Sequence, residues 1–532
     1  MKNNLKKLES IIPARKFISP GFAFSFWAVF VISGIMGVNF GRHWDEHLQL
    51  DLINQSIHYG ILYPRDWYYY PSGVYDLSVL SNLGFILHHY SSHVVETSSR
   101  FYLHTRQIFV VATSLGGFGV YVAARRISGL KGGVIASGVY FLSWELSYHS
   151  RWIAPDAILC SVAGVFLGAA VWSWQSKSRW AYLLPALVAG FAASIKYQGV
   201  VLLIPAVILA LVQLKPKIEH WKEVTIRLLG TGCAFVGGFL LLTPGAVLQP
   251  HLLLHQFGMM NHQYHSLTGW PNYHGAPNPE ATSSHLQYFV EMMRYVLLYL
   301  PSHYVLISIV ITAIAAIGLW RLFHQDRWLC GLVIAPVALL TISYSTYVNI
   351  VVRNFLIFLP FMALLTGIGG AWLLSTLKLR WRYVVVAVLV GMALINTALG
   401  LRTGNEIRSN SISSAIKSAA SFMDAHPTDH FAVSRNFRAQ AHHAGVSLGS
   451  NVVTGTRNAQ YEVFLFSDVT NNTVPVLRYW PAIFPNSITT FGAPEINVSY
   501  YPQWDMNFVV MLNSVQFRND IANQKALGFK PN

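Results

Sequence analysis

Two adjacent carboxylates, Asp45 and Glu46, directly follow the first apolar stretch of the sequence. Such a pair is suited to general base catalysis, in which one carboxylate takes a proton while its neighbour positions it or tunes its pKa. The pair is equally suited to the start of a helix, where the helix dipole favours acidic side chains. The spacing alone leaves both interpretations open.

A third carboxylate, Asp156, follows Pro155 at the start of a later apolar stretch. Pro followed by Asp is typical of the first turn of a helix. Asp156 is therefore either a helix cap or a further carboxylate of the polar site.

Four basic residues lie at the ends of apolar stretches and are candidates for binding a phosphate. Cations at membrane depth are expensive and often functional, although long basic side chains can also extend to the membrane surface. Lys196 and Arg353 are the stronger candidates, and Arg106 and Arg151 allow the same two interpretations.

Histidines and aromatic residues are concentrated in the segment 247–302. The candidates for sugar or acceptor binding there are His262, Tyr264 and His265, although interfacial aromatic belts are the usual alternative. Near the acid pair, His43 and His47 have the i,i+4 spacing that places two imidazoles on one helix face, where a metal can bind. That spacing is also common by chance in a His-rich region.

The composition indicates the class of protein to which these residues belong. Of the 532 residues, 53% are hydrophobic and 11% are charged, whereas soluble domains have about 25% charged residues. This excludes a disordered chain and disfavours a soluble enzyme. Three scattered cysteines are too few for a disulfide framework. The net charge of +15 does not form one patch, so nucleic acid is not expected as a partner.

Eleven stretches approach the roughly 20 apolar residues that a membrane-spanning helix needs. They lie at 22–40, 107–124, 132–148, 157–174, 181–195, 198–213, 228–246, 303–320, 329–345, 354–375 and 383–400. The first lacks a cleavage site after it and is expected to be retained as a span. The sequence therefore predicts a mainly α, polytopic membrane protein.

Basic residues predict which side of the membrane each loop faces, because cytoplasmic loops are rich in Lys and Arg. Six short alternate segments, including 1–21 and 215–227, contain 19 basic against 4 acidic residues. The N-terminus is therefore expected in the cytoplasm, with the long loops 41–106 and 247–302 and the tail 401–532 outside. No Gly-rich nucleotide loop lies on the cytoplasmic side. A bacterial inner membrane suits this pattern.

The tail 401–532 is predicted to form a small extracytoplasmic α/β domain. The segment 410–425 has helical spacing of apolar residues. Short strand-like runs follow it at 431–434, 461–467 and 507–512. The expected division is a membrane domain over 1–400 and this domain beyond it.

Taken in order, these features resemble the GT-C class of membrane glycosyltransferases. The similarity is greatest to the family-39 type, which includes protein O-mannosyltransferases and bacterial aminoarabinose lipid A transferases. The residues that carry the resemblance are Asp45-Glu46, Gly60-Ile-Leu-Tyr-Pro64, Tyr70-Pro71, Arg106, Arg125-Arg126, Ser150-Arg151, Pro155-Asp156, Lys196-Tyr197 and Arg353-Asn-Phe-Leu-Ile-Phe-Leu-Pro360.

The resemblance implies transfer of a sugar from a polyprenyl-phosphate carrier to a hydroxyl acceptor on a protein, a lipid or a glycan. Membrane lipids are the other expected partners. It implies Asp45 as the base, supported by Glu46, with Asp156 lining the same cavity. Lys196 and Arg353 would hold the lipid phosphate and stabilise its growing charge. No cofactor is expected to be required, and a divalent metal stays an open alternative.

Two other functions fit parts of the pattern. A transporter or flippase for a lipid-linked or anionic solute could use Lys196 and Arg353 to bind its substrate. Such proteins typically carry charged or broken helices near the middle of the membrane in both halves, whereas these candidates lie at the ends of stretches. A scaffold that only displays the tail would leave the acid pair unexplained.

Overall fold

The computed structural model describes residues 14–38, 46–61, 63–65, 67–89, 99–212, 221–265, 284–348, 350–409, 412–453, 459–465, 487–491, 495–496, 503–504, 509–516 and 519.

Helices form most of these ranges. In the first half of the chain they are α1 (Ala14–Ile35), α2 (Glu46–Tyr59), α3 (Gly73–Ser81), α4 (Leu83–His89), α5 (Ser99–Phe141), α6 (Trp144–His149), α7 (Pro155–Gln175), α8 (Leu183–Ile195), the 3₁₀ segment η1 (Tyr197–Leu202), α9 (Leu203–Val212) and α10 (Trp221–Leu242). They continue with α11 (Gly245–Leu248), α12 (Pro250–His265), α13 (His285–Leu298), α14 (Val305–Gln325), α15 (Arg327–Tyr344), the 3₁₀ segment η2 (Val352–Phe358), α16 (Leu359–Thr376), α17 (Leu379–Ser409), α18 (Ile412–Ala425) and α19 (Arg435–His443).

Within the described ranges, seven helices are long and apolar enough to cross a membrane. They are Phe101–Phe141, Pro155–Gln175, Trp221–Leu242, Val305–Gln325, Arg327–Tyr344, Val352–Thr376 and Leu379–Arg408. Three shorter apolar helices cover Pro20–Ile35, Leu183–Ile195 and Tyr197–Val212. The chain is an integral, multi-pass membrane protein, as predicted, while the sidedness and the type of membrane stay predictions.

The range of α5 contains two helical halves that meet at a kink, which confirms the expected pair of stretches at 107–124 and 132–148. The backbone is non-helical at Gly129, between the two stretches. Gly129 has φ 78°, a conformation that glycine adopts without steric cost. The two halves fold back on each other, because the Tyr140 hydroxyl donates a hydrogen bond of 2.9 Å to the backbone oxygen of Thr113. The end of the second predicted stretch is wrong, because a separate short helix, α6, begins at Trp144.

Glycines bring α5 and α7 into close contact, which fixes the start of α7 in space. A Cβ added at Gly119 would lie 2.3 Å from the carbonyl oxygen of Gly164, and one at Gly164 would lie 2.4 Å from that of Gly116. Small residues at such crossings let helix backbones approach within membranes. A glycine also lets α14 and α16 pack closely, because a Cβ at Gly318 would lie 1.9 Å from the carbonyl oxygen of Leu365.

The chain divides into two compact units, one of residues 1–35 and 48–403 and one of residues 36–47 and 404–532. The first contains the membrane-spanning helices up to residue 403. The expected roles of 1–400 as a catalytic domain and 401–532 as an extracytoplasmic domain stay predictions.

The second unit contains a small sheet, which confirms the α/β prediction for the tail. Its strands are β1 (Phe431–Val433), β2 (Val452–Val453), β3 (Tyr461–Leu465), β4 (Ile488–Phe491), β5 (Glu495–Ile496), β6 (Gln503–Trp504) and β7 (Val509–Asn513). Five of them pair in the order β2-β1-β3-β7-β4, and β5 pairs with β6. Helices α18 and α19 cover the five-stranded sheet through a core that includes Ile416, Met423 and Phe437.

Candidate functional site

Three charged side chains from separate elements meet at the start of α7. Lys196 Nζ lies 2.6 Å from Asp156 Oδ1, and Arg353 Nε lies 3.3 Å from Asp156 Oδ2. The residues are 3% (Asp156), 2% (Lys196) and 5% (Arg353) exposed. Three residues that the sequence singled out one by one thus form a single buried ion cluster.

Local backbone structure explains how these side chains are presented. Asp156 is the second residue of α7, after Pro155. Lys196 is the C-cap of α8, where the backbone turns to an extended conformation before η1 begins. Arg353 lies in η2, which packs against α7. The carboxylate of Asp156 is engaged by two cations, and a simple helix cap would not need them.

Asn354 completes the surroundings of Lys196. Its Oδ1 accepts a hydrogen bond of 2.5 Å from Lys196 Nζ, and its backbone oxygen accepts one of 3.1 Å from the Tyr344 hydroxyl. The ring of Tyr70 lies 5.6 Å from Lys196 Nζ, within cation–π range. The sequence analysis gave Asn354 no role, and its position directly after Arg353 was the available signal.

The cluster has an excess of positive charge. Lys196 and Arg353 carry two positive charges, and Asp156 supplies one negative charge. Buried charges are stable only when they are paired or hydrogen-bonded. The arrangement therefore suits an anion that supplies the second negative charge.

A second buried polar group lies beside this cluster and was missed by the sequence analysis. The Tyr295 hydroxyl donates a hydrogen bond of 2.6 Å to Glu145 Oε2, and His149 Nε2 lies 3.4 Å from the same oxygen. His149 also interacts electrostatically with Asp156. An acidic residue inside the apolar stretch 132–148 was the signal that could have revealed Glu145.

Arg151 donates hydrogen bonds to backbone oxygens that lie outside the ion cluster. Its guanidinium donates to the backbone oxygen of Ser147 and, at 2.5 Å, to that of Ser33. These bonds tie the end of α1 to α6. Burial lowers the pKa of Arg151 to about 9. A structural role accounts for these contacts.

Arg106 is also buried and lies on α5. Its guanidinium carbon is 5.6 Å from the centroid of the Tyr102 ring, one turn earlier on the same helix. This contact is local and does not link Arg106 to Asp156.

The proposed sugar-binding residues of α12 have different environments. Tyr264 is buried and stacks on Tyr347 with 5.0 Å between ring centroids. His265 Nε2 lies 3.0 Å from Thr346 Oγ1, and its Nδ1 lies 2.6 Å from the backbone oxygen of Asn261. His262 is exposed. His265 and Tyr264 therefore join α12 to the turn after α15, and His262 and His265 are both exposed.

Of the acid pair Asp45-Glu46, the structure describes Glu46. Glu46 is the first residue of α2 and is fully buried. Asp45 and His43 lie outside the described residues, as does the side chain of His47. Over the ranges that the structure describes, no group of three or more His, Cys, Asp or Glu could hold a metal ion.

Asp76 is a further carboxylate that the sequence analysis did not single out. It lies in the first turn of α3, and its Oδ2 has no hydrogen-bond partner among the described residues. Burial raises the pKa of Asp76 from 3.8 to about 7. No positive charge compensates for this burial among the causes of the shift.

A protein-family model matches part of the sequence. Residues 102–261 match the family model described as dolichyl-phosphate-mannose-protein mannosyltransferase, a range that includes Asp156 and Lys196. No curated protein matches the sequence.

Two solved structures of ArnT share this fold. ArnT from Cupriavidus metallidurans in the apo state is 14% identical, covers 94% of this chain and 98% of its own, and has a TM-score of 0.52. The same protein bound to undecaprenyl phosphate is 14% identical, with coverage of 92% and 97% and a TM-score of 0.51. The Archaeoglobus fulgidus oligosaccharyltransferase in complex with Zn and sulfate is 11% identical, with coverage of 85% and 69% and a TM-score of 0.46. The predicted resemblance to GT-C membrane glycosyltransferases of the protein mannosyltransferase and ArnT type is confirmed.

Proposed function

We propose that this protein transfers a sugar from a polyprenyl-phosphate carrier to a hydroxyl acceptor on the outer face of the membrane. The observation that carries the proposal is the buried cluster of Asp156, Lys196 and Arg353. This cluster has one more positive than negative charge, and the phosphodiester of a lipid-linked sugar carries one negative charge. The structure of ArnT bound to undecaprenyl phosphate supports a donor of this class.

Lys196 and Arg353 bind the donor phosphate in this proposal. As the bond to the sugar breaks, charge grows on the phosphate oxygens. Cations already fixed at that point stabilise the transition state without having to reorganise. Asp156 holds both cations in place, and Asn354 fixes the ammonium group from the other side.

The acceptor hydroxyl loses a proton during the attack, and the base is Asp45, with Glu46 as its partner. The burial of Glu46 at the start of α2 suits a supporting role. The acceptor is bound by three residues of α12, namely His262, Tyr264 and His265. Tyr264 and His265 form part of the wall of the acceptor site. Neither a metal nor another cofactor is needed for these steps.

The rival function, a transporter or flippase of a lipid-linked or anionic solute, could use the same cations. The cluster favours the transferase, because its members lie at the start of α7, the end of α8 and in η2. A transporter site would be expected at broken helices near the middle of the membrane.

The test is a transfer assay with purified protein, a radiolabelled polyprenyl-phosphate sugar and envelope extract as the acceptor source. We expect transfer of label together with release of polyprenyl phosphate. Lys196→Ala and Arg353→Ala should raise the donor KM, because each removes a charge-assisted hydrogen bond from a buried site.

Arg227→Ala is the matched control. Arg227 is also a buried arginine, but it pairs with Glu223 one turn away on α10, so its loss should leave the donor KM unchanged. Label that moves across vesicle membranes without forming a new glycosidic bond would support the transporter instead.

A further inference from the structure

An apolar groove of about 260 Å³ separates α17 from α1, α5 and α14. Its walls consist of Phe22 and Phe26 of α1, Ile311 of α14, and residues within the ranges 134–142 at the end of α5 and 386–396 of α17. Of the described residues that line this α17 groove, only Asn396 has a polar side chain.

The side chain of Asn396 is already bonded within the protein. It is 5% exposed, its Oδ1 accepts a hydrogen bond of 2.7 Å from the Ser302 hydroxyl, and its Nδ2 donates one of 3.4 Å to the backbone oxygen of Pro301. A buried water needs two to four polar partners. The α17 groove therefore suits hydrocarbon and not water.

The groove lies at the depth of the hydrocarbon core and opens sideways. Val386 is seven residues beyond Leu379, where α17 begins, a rise of about 10 Å in a bilayer core about 30 Å thick. In α17, 17% of the apolar window is buried, against 89% in Val352–Thr376. Phe22 and Val390, which line the groove, are exposed. An acyl chain can therefore enter the groove from the surrounding bilayer.

Two basic residues flank the entrance of the groove. Lys131 is three residues before Val134 on α5, and Arg382 is four residues before Val386 on α17. Residues at these spacings share a helix face, and helical side chains lean toward the N-terminus of their helix. Both cations therefore lie between the groove and the membrane surface.

The surroundings of Arg382 reinforce this positive charge. Its guanidinium donates hydrogen bonds of 2.7 and 2.9 Å to the backbone oxygens of Leu377 and Ser375, which fixes it at the entrance. The segment 376–382 contains three basic and no acidic residues. In the part of the chain that the structure describes, neither Lys131 nor Arg382 forms an ion pair. Trp381 is 51% exposed, as is typical at the level of lipid headgroups.

We propose that the α17 groove binds one acyl chain of an anionic phospholipid, with the lipid phosphate held by Lys131 and Arg382. Hydrocarbon fills the apolar walls, and the net negative charge of the headgroup meets basic residues between membrane helices. A zwitterionic phospholipid offers the same chain without the net charge, so it binds more weakly. The lining of the groove contains no member of the Asp156 cluster, and the proposal does not rest on the proposed function.

The test is native mass spectrometry of the purified, delipidated full-length protein, titrated with dioleoyl-phosphatidylglycerol or dioleoyl-phosphatidylcholine. We expect one phosphatidylglycerol to be retained, bound about tenfold more tightly than phosphatidylcholine, a difference of about 1.4 kcal/mol. Equal affinity for the two lipids would overturn the proposal.

Ala393→Phe tests whether the chain occupies the groove. Ala393 lines the groove, so the larger side chain should abolish retention of phosphatidylglycerol. Leu394→Phe is the matched control, because Leu394 is 66% exposed and lies outside the lining, and it should bind as the parent does. If Ala393→Phe does not fold, Ala393→Leu fills part of the same space and should weaken binding. Parent-like affinity in a folded Ala393 variant would place the lipid elsewhere.

Lys131→Gln tests the headgroup. It should weaken binding of phosphatidylglycerol about fivefold, the usual contribution of one basic residue near an anionic lipid, and leave phosphatidylcholine unchanged. Lys177→Gln, in the exposed turn between α7 and α8, is the control and should change neither. Equal effects of Lys131→Gln on both lipids, or none, would contradict the headgroup assignment.

Two other occupants would also be recognised. Displacement of bound phosphatidylglycerol by equimolar undecaprenyl phosphate would show that the groove holds a polyprenyl chain. A dimeric parent protein that retains no lipid would show that a second copy of the chain covers the groove. Either result would overturn the proposal.

Discussion

Asp156 Oδ1 lies 2.6 Å from Lys196 Nζ, and both side chains are 3% exposed. Arg353 approaches the other oxygen of the same carboxylate. A buried charge that loses its partner is strongly destabilising, even where the intact pair adds little net stability. Asp156 is therefore the residue on which the structure of the site depends.

We expect Asp156→Asn to lower the free energy of unfolding by about 3–5 kcal/mol, because it leaves two buried cations without a counter-charge. If Asp156 were only a helix cap, the loss would be small, since Asn also caps well. Thermal unfolding of the purified protein in detergent measures the difference.

Asp326→Asn is the matched control for that experiment. Asp326 caps α15 and accepts hydrogen bonds from the backbone N–H groups of Trp328 and Leu329. Its replacement should cost less than about 1 kcal/mol. An equal loss of Tm in the two variants would show that Asp156 is no more than a cap.

Asn354→Asp should weaken donor binding without removing the contact to Lys196. The new carboxylate can still accept the hydrogen bond that Asn354 Oδ1 accepts now, but it cancels the excess positive charge of the cluster. We expect the Kd for undecaprenyl-phosphate-mannose to rise about tenfold, equivalent to about 1.4 kcal/mol. Asn354→Ala, which changes no charge, should have the smaller effect; the reverse order would count against the charge argument.

Asp76 predicts a pH dependence of stability. Because burial raises its pKa from 3.8 to about 7, the folded protein binds more protons at this residue than the unfolded chain between these values. The free energy of unfolding contributed by Asp76 therefore falls as the pH rises from about 4 to about 7, and is constant above that.

Asp76→Asn removes this penalty. The variant should be more stable than the parent by about 2–4 kcal/mol at pH 8, from the size of a shift of this kind, and the difference should vanish near pH 4. The Tm of both proteins across this range gives the answer. A difference that grows as the pH falls would have the wrong sign and would contradict the raised pKa of the half-buried Asp76.

Gly119→Ala should destabilise the contact between α5 and α7. The added methyl group would lie 2.3 Å from the carbonyl oxygen of Gly164, and overpacking of this kind costs about 1–3 kcal/mol. Gly232→Ala on α10 is the control, because a Cβ there meets nothing within 4 Å and a helical alanine is favoured over glycine by about 1 kcal/mol. Gly232→Ala should therefore keep or raise the Tm. If Gly119→Ala also kept or raised the Tm, the two helices would not need this close approach.

The sequence was sufficient to find Asp156, Lys196 and Arg353, because charges at the ends of apolar stretches stand out. It could not show that they meet. Asp156 and Lys196 are 40 residues apart, and Lys196 and Asn354 are 158 residues apart. Periodicity and capping signals act over single helices, so contacts across the bundle are invisible to them.

Local reasoning was sufficient for α5 but only partly sufficient for the tail. Arg125, Arg126 and Lys131 predicted a break between two spans, and the chain turns there at Gly129, which has a positive φ. In the tail, the longer apolar runs predicted β1, β3 and β7. The two-residue strand β2 has too few residues for any alternation to show, and it is defined only by its pairing with β1.

The most direct test of the proposed function is a cryo-EM map of the full-length protein with undecaprenyl-phosphate-mannose. The account predicts density for the phosphate within hydrogen-bond distance, about 3 Å, of Lys196 Nζ and the guanidinium of Arg353. Lipid phosphate density elsewhere on the protein, with Lys196 and Arg353 paired only to Asp156, would contradict it.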